Sequence, residues 1–296
     1  MHGLLLLNKK PGITSFDSLA GVKRAFDTGK AGHTGTLDKF ASGLLLVLIG
    51  RGVKLVNLFS DCVKEYSGTI RFGEETNTLD PEGEVIAGGP LPSREQVEAA
   101  LGAFRGNILQ APPLYSALHI NGRRAHELAR EGKNVTMEKR PITVYDLKLV
   151  SWTPPEAVIY ARVSSGTYIR SLARDIAIEA GSRAYLSALT RTAIGAFRLE
   201  DAVTDDGEKE SLVKELRPLD EELFRALSFP CLQIDNNAAK SFIHGKALDG
   251  FLDMNELDLP GSAIIGVFRK NSPGVLLGVL ERKNKKWGYM HVFADN

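Results

Sequence analysis

One carboxylate, Asp38, lies in a stretch of chain suited to an active-site loop. Gly32, Gly35 and Gly43 surround it, and the apolar run 44–49 follows. Glycine permits close backbone approaches, so such a loop can hold a carboxylate at the edge of a cleft while the apolar run anchors it in a core. Taken alone, an aspartate beside glycine is more typical of a turn or a helix cap. The choice depends on partners elsewhere in the chain.

Two distant residues are suited to act with this carboxylate. Arg170 falls in the first turn of a helix predicted over 168–180, where a cation opposes the helix dipole and needs an acidic partner. A solvated arginine is the alternative. Tyr66 begins the predicted strand 66–73 on its inward face, either as a core aromatic or as part of a cleft. An aspartate kept ionised by an arginine is suited to act as a nucleophile or general base.

The sequence carries none of the common cofactor and metal motifs. It has no HExxH, no Walker A and no Rossmann fingerprint, and its six histidines are not paired with cysteines at ligand spacing. We therefore predict carboxylate chemistry without a cofactor or a metal. Residues 32–35 (GHTG) also fit the GXXG loop with which KH modules clamp RNA. KH loops lie between helices, whereas a strand is predicted after this one.

Hydrophobic patterns predict both strands and helices along the chain. Strands are predicted at 3–8, 43–49, 66–73, 141–152 and 157–164. One helix is predicted to begin at a cap at Thr14 or Ser15, with Phe16, Leu19, Val22 and Phe26 on its packed side. Another is predicted to begin at a Ser93–Gln96 capping box and to run through Phe104. The remaining helices are predicted over 53–59, 124–130 and 168–180 and in the linker 201–228. Residues 74–92 are expected to form turns and a polar loop.

The pattern changes near residue 228. From there short apolar strands alternate with turns, which predicts a small β barrel or sandwich. The first 60 residues hold eight lysines and arginines against three acidic residues, although the whole chain has a formal net charge of only +1. A basic face is suited to phosphate binding and is equally typical of a solvated surface. The sequence predicts two domains, 1–228 and 229–296.

Two observations indicate where the protein works. Cys62 and Cys231 are too few and too far apart for a disulfide framework, which fits a reducing, cytoplasmic setting. No apolar run reaches the ~18 residues of a membrane helix, so no membrane association is predicted.

Six spaced motifs together resemble those of one enzyme family. They lie at 8–15 (NKKPGITS), 32–43 (GHTGTLDKFASG), 66–73 (YSGTIRFG), 113–117 (PLYSA), 165–172 (SGTYIRSL) and 189–192 (LTRT). In this order, over nearly the full length, the set resembles the bacterial tRNA pseudouridine-55 synthases, the TruB family. Residues 229–296 resemble the PUA-type RNA-binding domain that the family often carries.

The resemblance implies a pseudouridine synthase fold, an α+β catalytic domain on a mixed, mainly antiparallel sheet. It implies that uridine 55 in the T loop of tRNA is isomerised to pseudouridine without a cofactor. Asp38 would be the nucleophile, attacking either the ribose C1′ or the pyrimidine C6, and Arg170 would pair with it. Tyr66 would stack on the flipped base and could take part in proton abstraction.

Further residues gain substrate-binding roles from the same resemblance. His33 would hold the RNA loop open where the base has left its stack, Tyr168 would contact the substrate, and Leu189 would line an apolar pocket. Lys10 and Pro11 would support the Tyr66 region. The expected partner is the T stem-loop of tRNA, bound by a monomer.

The sequence departs from the family pattern at three positions. Lys39 stands where proline is usual, His119 replaces a common lysine, and His126 replaces a common aromatic residue. Two other functions stay open at this point. One is an RNA-binding helper of tRNA folding whose catalysis is dispensable, and the other is the catalytic subunit of an RNA-guided pseudouridylation complex, whose family shares the aspartate loop.

Overall fold

The computed structural model describes residues 1–116, 119–120, 123–124, 137–252, 263–270, 272, 274–284 and 286–293. The strands in chain order are β1 (Gly3–Lys9), β2 (Ala31–His33), β3 (Ser42–Ile49), β4 (Lys64–Phe72), β5 (Glu74–Thr76), β6 (Val85–Gly88), β7 (Gly106–Gln110), β8 (His119–Ile120), β9 (Arg123–Arg124), β10 (Arg140–Thr153), β11 (Glu156–Val163), β12 (Ala184–Ile194), β13 (Phe197–Arg198), β14 (Val203–Thr204), β15 (Cys231–Ile234), β16 (Ile264–Arg269), β17 (Leu276–Lys283) and β18 (Lys286–Val292).

The helices are fewer and pack around the sheets. The α-helices are α1 (Leu19–Ala25), α2 (Arg94–Ala103), α3 (Ile169–Glu179), α4 (Lys209–Lys214), α5 (Glu221–Ala226) and α6 (Asn236–Ile243). Short 3₁₀ helices span Gly50–Phe59, Leu199–Asp201 and Leu248–Gly250.

Within the described residues, ten strands form one mixed sheet with the order β14-β1-β3-β12-β4-β11-β10-β7, with β2 added to β3 and β13 to β12. The pairs β1–β14 and β3–β12 are parallel, and the other pairs of this sheet are antiparallel. The leucine-rich strands β1 and β3 are buried on both faces, as their continuous apolar runs predict. Strand β4 alternates buried and more exposed residues, so one face alone packs on a core.

Three cores surround this sheet. Helices α2 and α3 cover the face that carries Tyr66, and α1 covers one side of β1 and β3. On the other side, Leu4 and Leu46 share a core with Phe224, Phe268 and Phe293. That core joins the large sheet to a C-terminal sheet with the order β15-β16-β17-β18. The C-terminal sheet begins at residue 231, and the boundary near 228 stays a prediction.

Several predicted elements are present. The strands at 3–8, 43–49, 66–73, 141–152 and 157–164 form with small shifts at their ends, and 53–59 lies in a 3₁₀ helix. Ser93 caps α2 through the predicted box, since its hydroxyl accepts from Gln96 N and the Gln96 side chain accepts from Ser93 N at 2.7 Å. The predicted helix 168–180 is α3, followed by Gly181 at φ 73°.

Other expectations differ from the structure. The helix predicted from Thr14 or Ser15 begins only at Leu19, because Thr14 Oγ1 donates to Asp17 Oδ2 at 2.7 Å and accepts from Asp17 N at 3.0 Å, closing a turn instead. Phe16, predicted to pack, is 70% exposed. The polar loop 74–92 contains the β5–β6 hairpin, and the linker 201–228 forms β14 and two short helices rather than one.

Two further expectations concern the hairpin region and the C-terminal part. Of the helix predicted over 124–130, Arg124 lies in β9 and the other residues lie outside the described part of the chain. The predicted barrel or sandwich is, in the described residues, one four-stranded sheet with α6 beside it.

Gly43 lies where the active-site loop enters β3, and we expect its replacement by alanine to be costly. Its φ is +103°, and an added Cβ would collide with Arg191 O and lie 2.8 Å from Arg191 N on β12. We expect Gly43→Ala to lower the free energy of unfolding by about 2–5 kcal/mol, measured by chemical denaturation. Gly12→Ala is the control, because Gly12 has φ +84° with nothing within 4 Å. Equal losses in both variants would show that the clash with Arg191 has no effect.

Candidate active site

The loop that carries Asp38 joins β2 to β3 and is clamped on both sides of the aspartate. The buried Ser15 hydroxyl accepts from Leu37 N at 2.8 Å and donates to Leu37 O at 3.0 Å. On the other side, Gly12 N donates to Lys39 O at 2.8 Å. The turn over 10–17 and the aspartate loop therefore form one hydrogen-bonded unit.

Lys9 holds the same unit from below. Its ammonium group is buried, and it donates to Ile13 O at 2.6 Å, to Lys10 O at 3.0 Å and to Lys39 O at 3.4 Å. The pKa of Lys9 is lowered to about 8, chiefly by burial and in part by the nearby Arg191, whereas the charges of Asp38 and Glu82 oppose the shift. Three backbone carbonyls of the loop region thus depend on one buried cation.

We expect Lys9→Met to destabilise the protein by about 1–3 kcal/mol, because the carbonyls lose their donor. The pKa of Lys9 is lower in the folded than in the unfolded protein, so the unfolded state binds more protons between about pH 8 and the ordinary lysine value of 10.5. Stability due to Lys9 therefore rises with pH across this range. Urea titrations of both proteins from pH 7 to 10 should show the wild-type advantage growing with pH, and a constant difference would contradict the shift.

Arg170 of α3 contacts the aspartate directly. Its side chain is 5% exposed, its Nε lies 2.9 Å from Asp38 Oδ2, and its Nη2 donates to Asp38 Oδ1 at 3.1 Å. Nη2 also donates to Tyr115 O at 3.0 Å, and Nη1 donates to Thr78 O at 2.8 Å. The guanidinium that the sequence places awkwardly at a helix start is thus fixed by partners from several segments.

Asp80 is a second buried carboxylate on the same arginine, and sequence reasoning missed it. Its Oδ2 accepts from Arg170 Nη1 at 3.0 Å, and its Oδ1 accepts from Thr78 Oγ1 at 2.6 Å and Glu82 N at 3.0 Å. The local sequence Asp-Pro-Glu-Gly is typical of an exposed turn. No local signal marks this aspartate as directed inward, so the buried charged Arg170 is the clue that could have found it.

The surroundings of Asp38 raise its pKa. Burial raises the pKa of Asp38, and the negative charges of Asp80 and Glu82 act in the same direction, while the Arg170 guanidinium opposes them. The side chain remains 37% exposed. The carboxylate is therefore aimed by Arg170, more basic than an ordinary aspartate, and accessible.

A cleft of about 390 Å³ opens at this carboxylate. It brings together five of the sequence-predicted residues: Asp38, Tyr66, Tyr168, Arg170 and Leu189. Lys64 and Arg191, both buried, and Thr34 and Thr167 also line it. An aromatic ring, an apolar side chain and several polar groups beside one carboxylate suit a flat heterocyclic ligand.

Arg191 is a further residue that sequence reasoning did not single out for this site. Its Nε donates to Leu44 O at 2.8 Å and its Nη2 donates to Gly35 O at 3.1 Å, so it ties both arms of the aspartate loop to β12. The Leu-Thr-Arg-Thr motif that contains it was noted, and its positioning of the loop became visible only in the structure.

Three predicted substrate-binding residues lie outside the cleft lining. His33 ends β2, where burial and the charge of Arg191 lower its pKa, and its buried Nδ1 has no hydrogen-bond partner within the described residues. Lys10 and Pro11 are exposed in the turn, and Lys10 Nζ donates to Asp205 O at 2.9 Å. Their predicted roles stay predictions.

The departures from the family pattern are only in part visible. Lys39 Nζ lies 3.7 Å from Glu82 Oε1, with both side chains about half exposed, so this cation pairs with Glu82 beside the aspartate. The backbone of Lys39 stays anchored by Gly12 and Lys9. His126 and the side chain of His119 lie outside the described residues.

Two kinds of feature are absent from the described residues. These residues contain no group of three or more histidine, cysteine or acidic side chains that could hold a metal ion. None of their helices combines the length and the apolar character needed to span a membrane. The GHTG stretch that also fits a KH clamp begins inside β2 and continues into the loop before β3, so strands and not helices flank it.

Comparison with known proteins decides the family. Residues 23–169 match the family model described as TruB family pseudouridylate synthase, N-terminal domain. The tRNA pseudouridine synthase B of Borreliella afzelii (strain PKo) is 37% identical over 99% of this chain and 99% of its own. This chain belongs to the TruB family. A second relative, the tRNA pseudouridine synthase B of Burkholderia lata, is 42% identical over 84% of this chain and 78% of its own. Members of the TruB family are RNA isomerases.

Solved structures show the fold of this TruB family chain. The chain is similar to one in the crystal structure of a Cbf5-Nop10-Gar1 complex, with a TM-score of 0.68 and 23% identity, covering 99% of this chain and 84% of that one. A chain of the archaeal box H/ACA sRNP Nop10-Cbf5 complex gives a TM-score of 0.66 at 22% identity, covering 98% and 85%. The predicted pseudouridine synthase fold, with its mixed and mainly antiparallel sheet, is confirmed.

Proposed function

We propose that this chain is a tRNA pseudouridine synthase that isomerises uridine 55 in the T loop without a cofactor. Relatives that bear the name tRNA pseudouridine synthase B, at 37–43% identity, support the tRNA substrate. The observation that carries the chemistry is the accessible Asp38 carboxylate, held by Arg170 on the wall of a base-sized cleft.

The reaction needs the target base outside its stack. A uridine in a structured RNA loop must flip out, at a cost on the order of a few kcal/mol, before a carboxylate on the wall of a cleft reaches its glycosidic bond. Stacking of the base on Tyr66 offsets part of this free-energy cost, and Leu189 makes apolar contact with the base in the cleft. Tyr168 lies on the same wall, and His33 acts at the RNA loop from which the base has left.

Asp38 then acts as the nucleophile. Its carboxylate attacks either C1′ of the ribose or C6 of the pyrimidine, and the bond between N1 and C1′ breaks. The base turns within the cleft, a bond forms between C5 and C1′, and the bond to Asp38 breaks, so that the carboxylate is regenerated. The proton on C5 leaves for a base, for which Tyr66 is the candidate, and N1 takes up a proton in its place. Atoms are conserved overall, so the step requires no cofactor.

Binding is divided between the cleft and the surface. The basic N-terminal 60 residues, with Lys10 and Pro11 in the turn beside the aspartate loop, supply salt-dependent contacts to phosphates. Residues 229–296 form the PUA-like RNA-binding domain of this proposal. The protein acts as a monomer in the cytoplasm on the T stem-loop.

Release of the C5 hydrogen gives a direct test. The purified chain, without guide RNA or protein partners, is incubated with a T-stem-loop RNA that carries tritium at C5 of its uridines. Isomerisation of one uridine should release tritium from that position alone, and an RNA with cytidine at position 55 should release none. Release that depends on an added guide RNA would replace this proposal with the RNA-guided alternative.

A further inference from the structure

Phe16 is the most exposed aromatic side chain among the described residues, with 70% of its surface accessible. An isolated exposed apolar residue is ordinary on a protein surface. Phe16 differs because the turn that carries it is rigid and attached to the active site. Thr14 and Asp17 are hydrogen-bonded to each other on either side of Phe16, and Ser18 N donates to Thr14 O at 3.1 Å.

The turn that carries the ring is tied close to the reacting carboxylate. Ser15, the residue before Phe16, has its hydroxyl bonded to both backbone groups of Leu37, the residue before Asp38. The Cα atoms of Phe16 and Asp38 are consequently within about 15 Å of each other by chain geometry. The two Ser15 hydrogen bonds thus tie the turn that carries the ring to the loop that carries the nucleophile.

The electrostatic surroundings suit a nucleic acid. Lys23 Nζ of α1 lies 5.2 Å from the centre of the Phe16 ring. Lys10 and Arg24 lie in the same stretch of chain, 10–25, as Phe16. The acidic residue next to Phe16, Asp17, has its carboxylate engaged by hydrogen bonds from Thr14. An exposed ring under a cation is the combination that binds a base and its phosphate together.

We propose that Phe16 is a stacking platform for an unpaired base of the RNA substrate close to the target uridine, with Lys23 beside the phosphate of that nucleotide. The proposal rests on the proposed function for its RNA substrate. It adds a second aromatic contact outside the cleft: Tyr66 receives the flipped uracil, and Phe16 receives a base that stays in the RNA loop. The rigid turn sets the spacing between the two contacts.

Steady-state kinetics on a T-stem-loop RNA test the assignment. A contact made equally in the ground state and the transition state raises KM and leaves kcat unchanged when it is lost. We expect Phe16→Ala to raise KM roughly 5- to 150-fold, the range for loss of one base stack. Phe16→Trp should keep KM near the wild-type value, and Phe16→Leu should behave like Phe16→Ala. Because Phe16 is exposed, the melting temperature should not change in any variant.

The control and the substrate series separate stacking from other effects. Tyr145→Ala removes an aromatic side chain that is 50% exposed on β10 beside Arg162, and it should leave KM unchanged. A series of RNAs, each lacking one base near position 55, identifies the base that stacks on Phe16. For one RNA of the series, the KM of the wild-type protein should rise, and Phe16→Ala should raise the KM for that RNA no further.

Two results overturn the inference: a KM for Phe16→Ala within twofold of wild type, or an effect of Phe16→Ala that persists on every abasic substrate. If the wild-type protein forms no pseudouridine, the proposed function fails. In that case, dissociation constants of the same variants and RNAs, measured by fluorescence anisotropy, take the place of KM. A dissociation constant for Phe16→Ala within twofold of wild type, or an effect that persists on every abasic RNA, then overturns the stacking contact.

Discussion

Asp38→Asn is expected to abolish pseudouridine formation while leaving RNA binding nearly unchanged. The amide has the size of the carboxylate but cannot form the covalent bond, so kcat should fall by at least about 10⁴-fold, as for loss of other enzyme nucleophiles. The side chain is accessible at the cleft and contributes only one wall to it. The dissociation constant for a T-stem-loop RNA should therefore stay within a few-fold of wild type.

A matched aspartate controls for the charge change. Asp146→Asn alters a carboxylate on β10 that pairs with Lys148, outside the cleft lining. This variant should turn over like the wild type. Turnover by Asp38→Asn within tenfold of wild type would exclude Asp38 as the nucleophile. Full rescue of a null strain by a catalytically dead Asp38→Asn would instead favour the RNA-folding helper, in which catalysis is dispensable.

Arg170→Met is expected to have the second-largest effect, on stability and catalysis together. The change leaves the carboxylates of Asp38 and Asp80 without their shared cation, and breaking such a buried pair costs about 3–5 kcal/mol. Thermal or chemical unfolding measures this loss. The double variant Arg170→Met/Asp80→Asn should recover part of the stability, because one uncompensated charge is removed as well.

The pH dependence of the same variant reports on Asp38. The nucleophile is active when deprotonated, so kcat/KM falls as the pH drops through its pKa. Burial already raises the pKa of Asp38 in the wild type, and Arg170 is the main group that opposes this shift. Without Arg170 the pKa rises further, so the acid limb of kcat/KM should move to higher pH. An unchanged limb, with stability equal to wild type, would contradict the assigned pairing.

Arg170→Lys separates charge from geometry. A lysine keeps the positive charge but cannot reproduce the guanidinium contacts to Asp38, Asp80 and the Thr78 carbonyl at once. Its acid limb should therefore lie nearer to that of the wild type than the limb of Arg170→Met does, while its kcat remains reduced.

The sequence predicted correctly those helices and strands whose formation depends on interactions between residues close together in the chain. The alternation in β4 placed Tyr66 on the buried face, and the Ser93–Gln96 box marked the start of α2, because each pattern is complete within a few residues. Arg170 was predicted to need a carboxylate since its position in α3 is unfavourable without one. The family resemblance linked it to Asp38, and the structure shows the contact.

The remaining features depend on contacts between distant segments. Asp80 looks like a turn residue in its own sequence and becomes part of the site only when α3 brings Arg170 to it. Phe16 fits an amphipathic helix by spacing, but Thr14 and Asp17 close a turn and leave the ring exposed. Lys9 resembles a solvated lysine, and its burial follows from three carbonyls that fold around it.

The most direct test of the proposed function is the position of pseudouridine in an unmodified tRNA treated with the pure protein, mapped by mass spectrometry of defined fragments. We expect one pseudouridine per tRNA, at position 55, formed by the wild-type chain alone and absent after treatment with Asp38→Asn. Pseudouridine at another position, none at all, or equal formation by Asp38→Asn would contradict it.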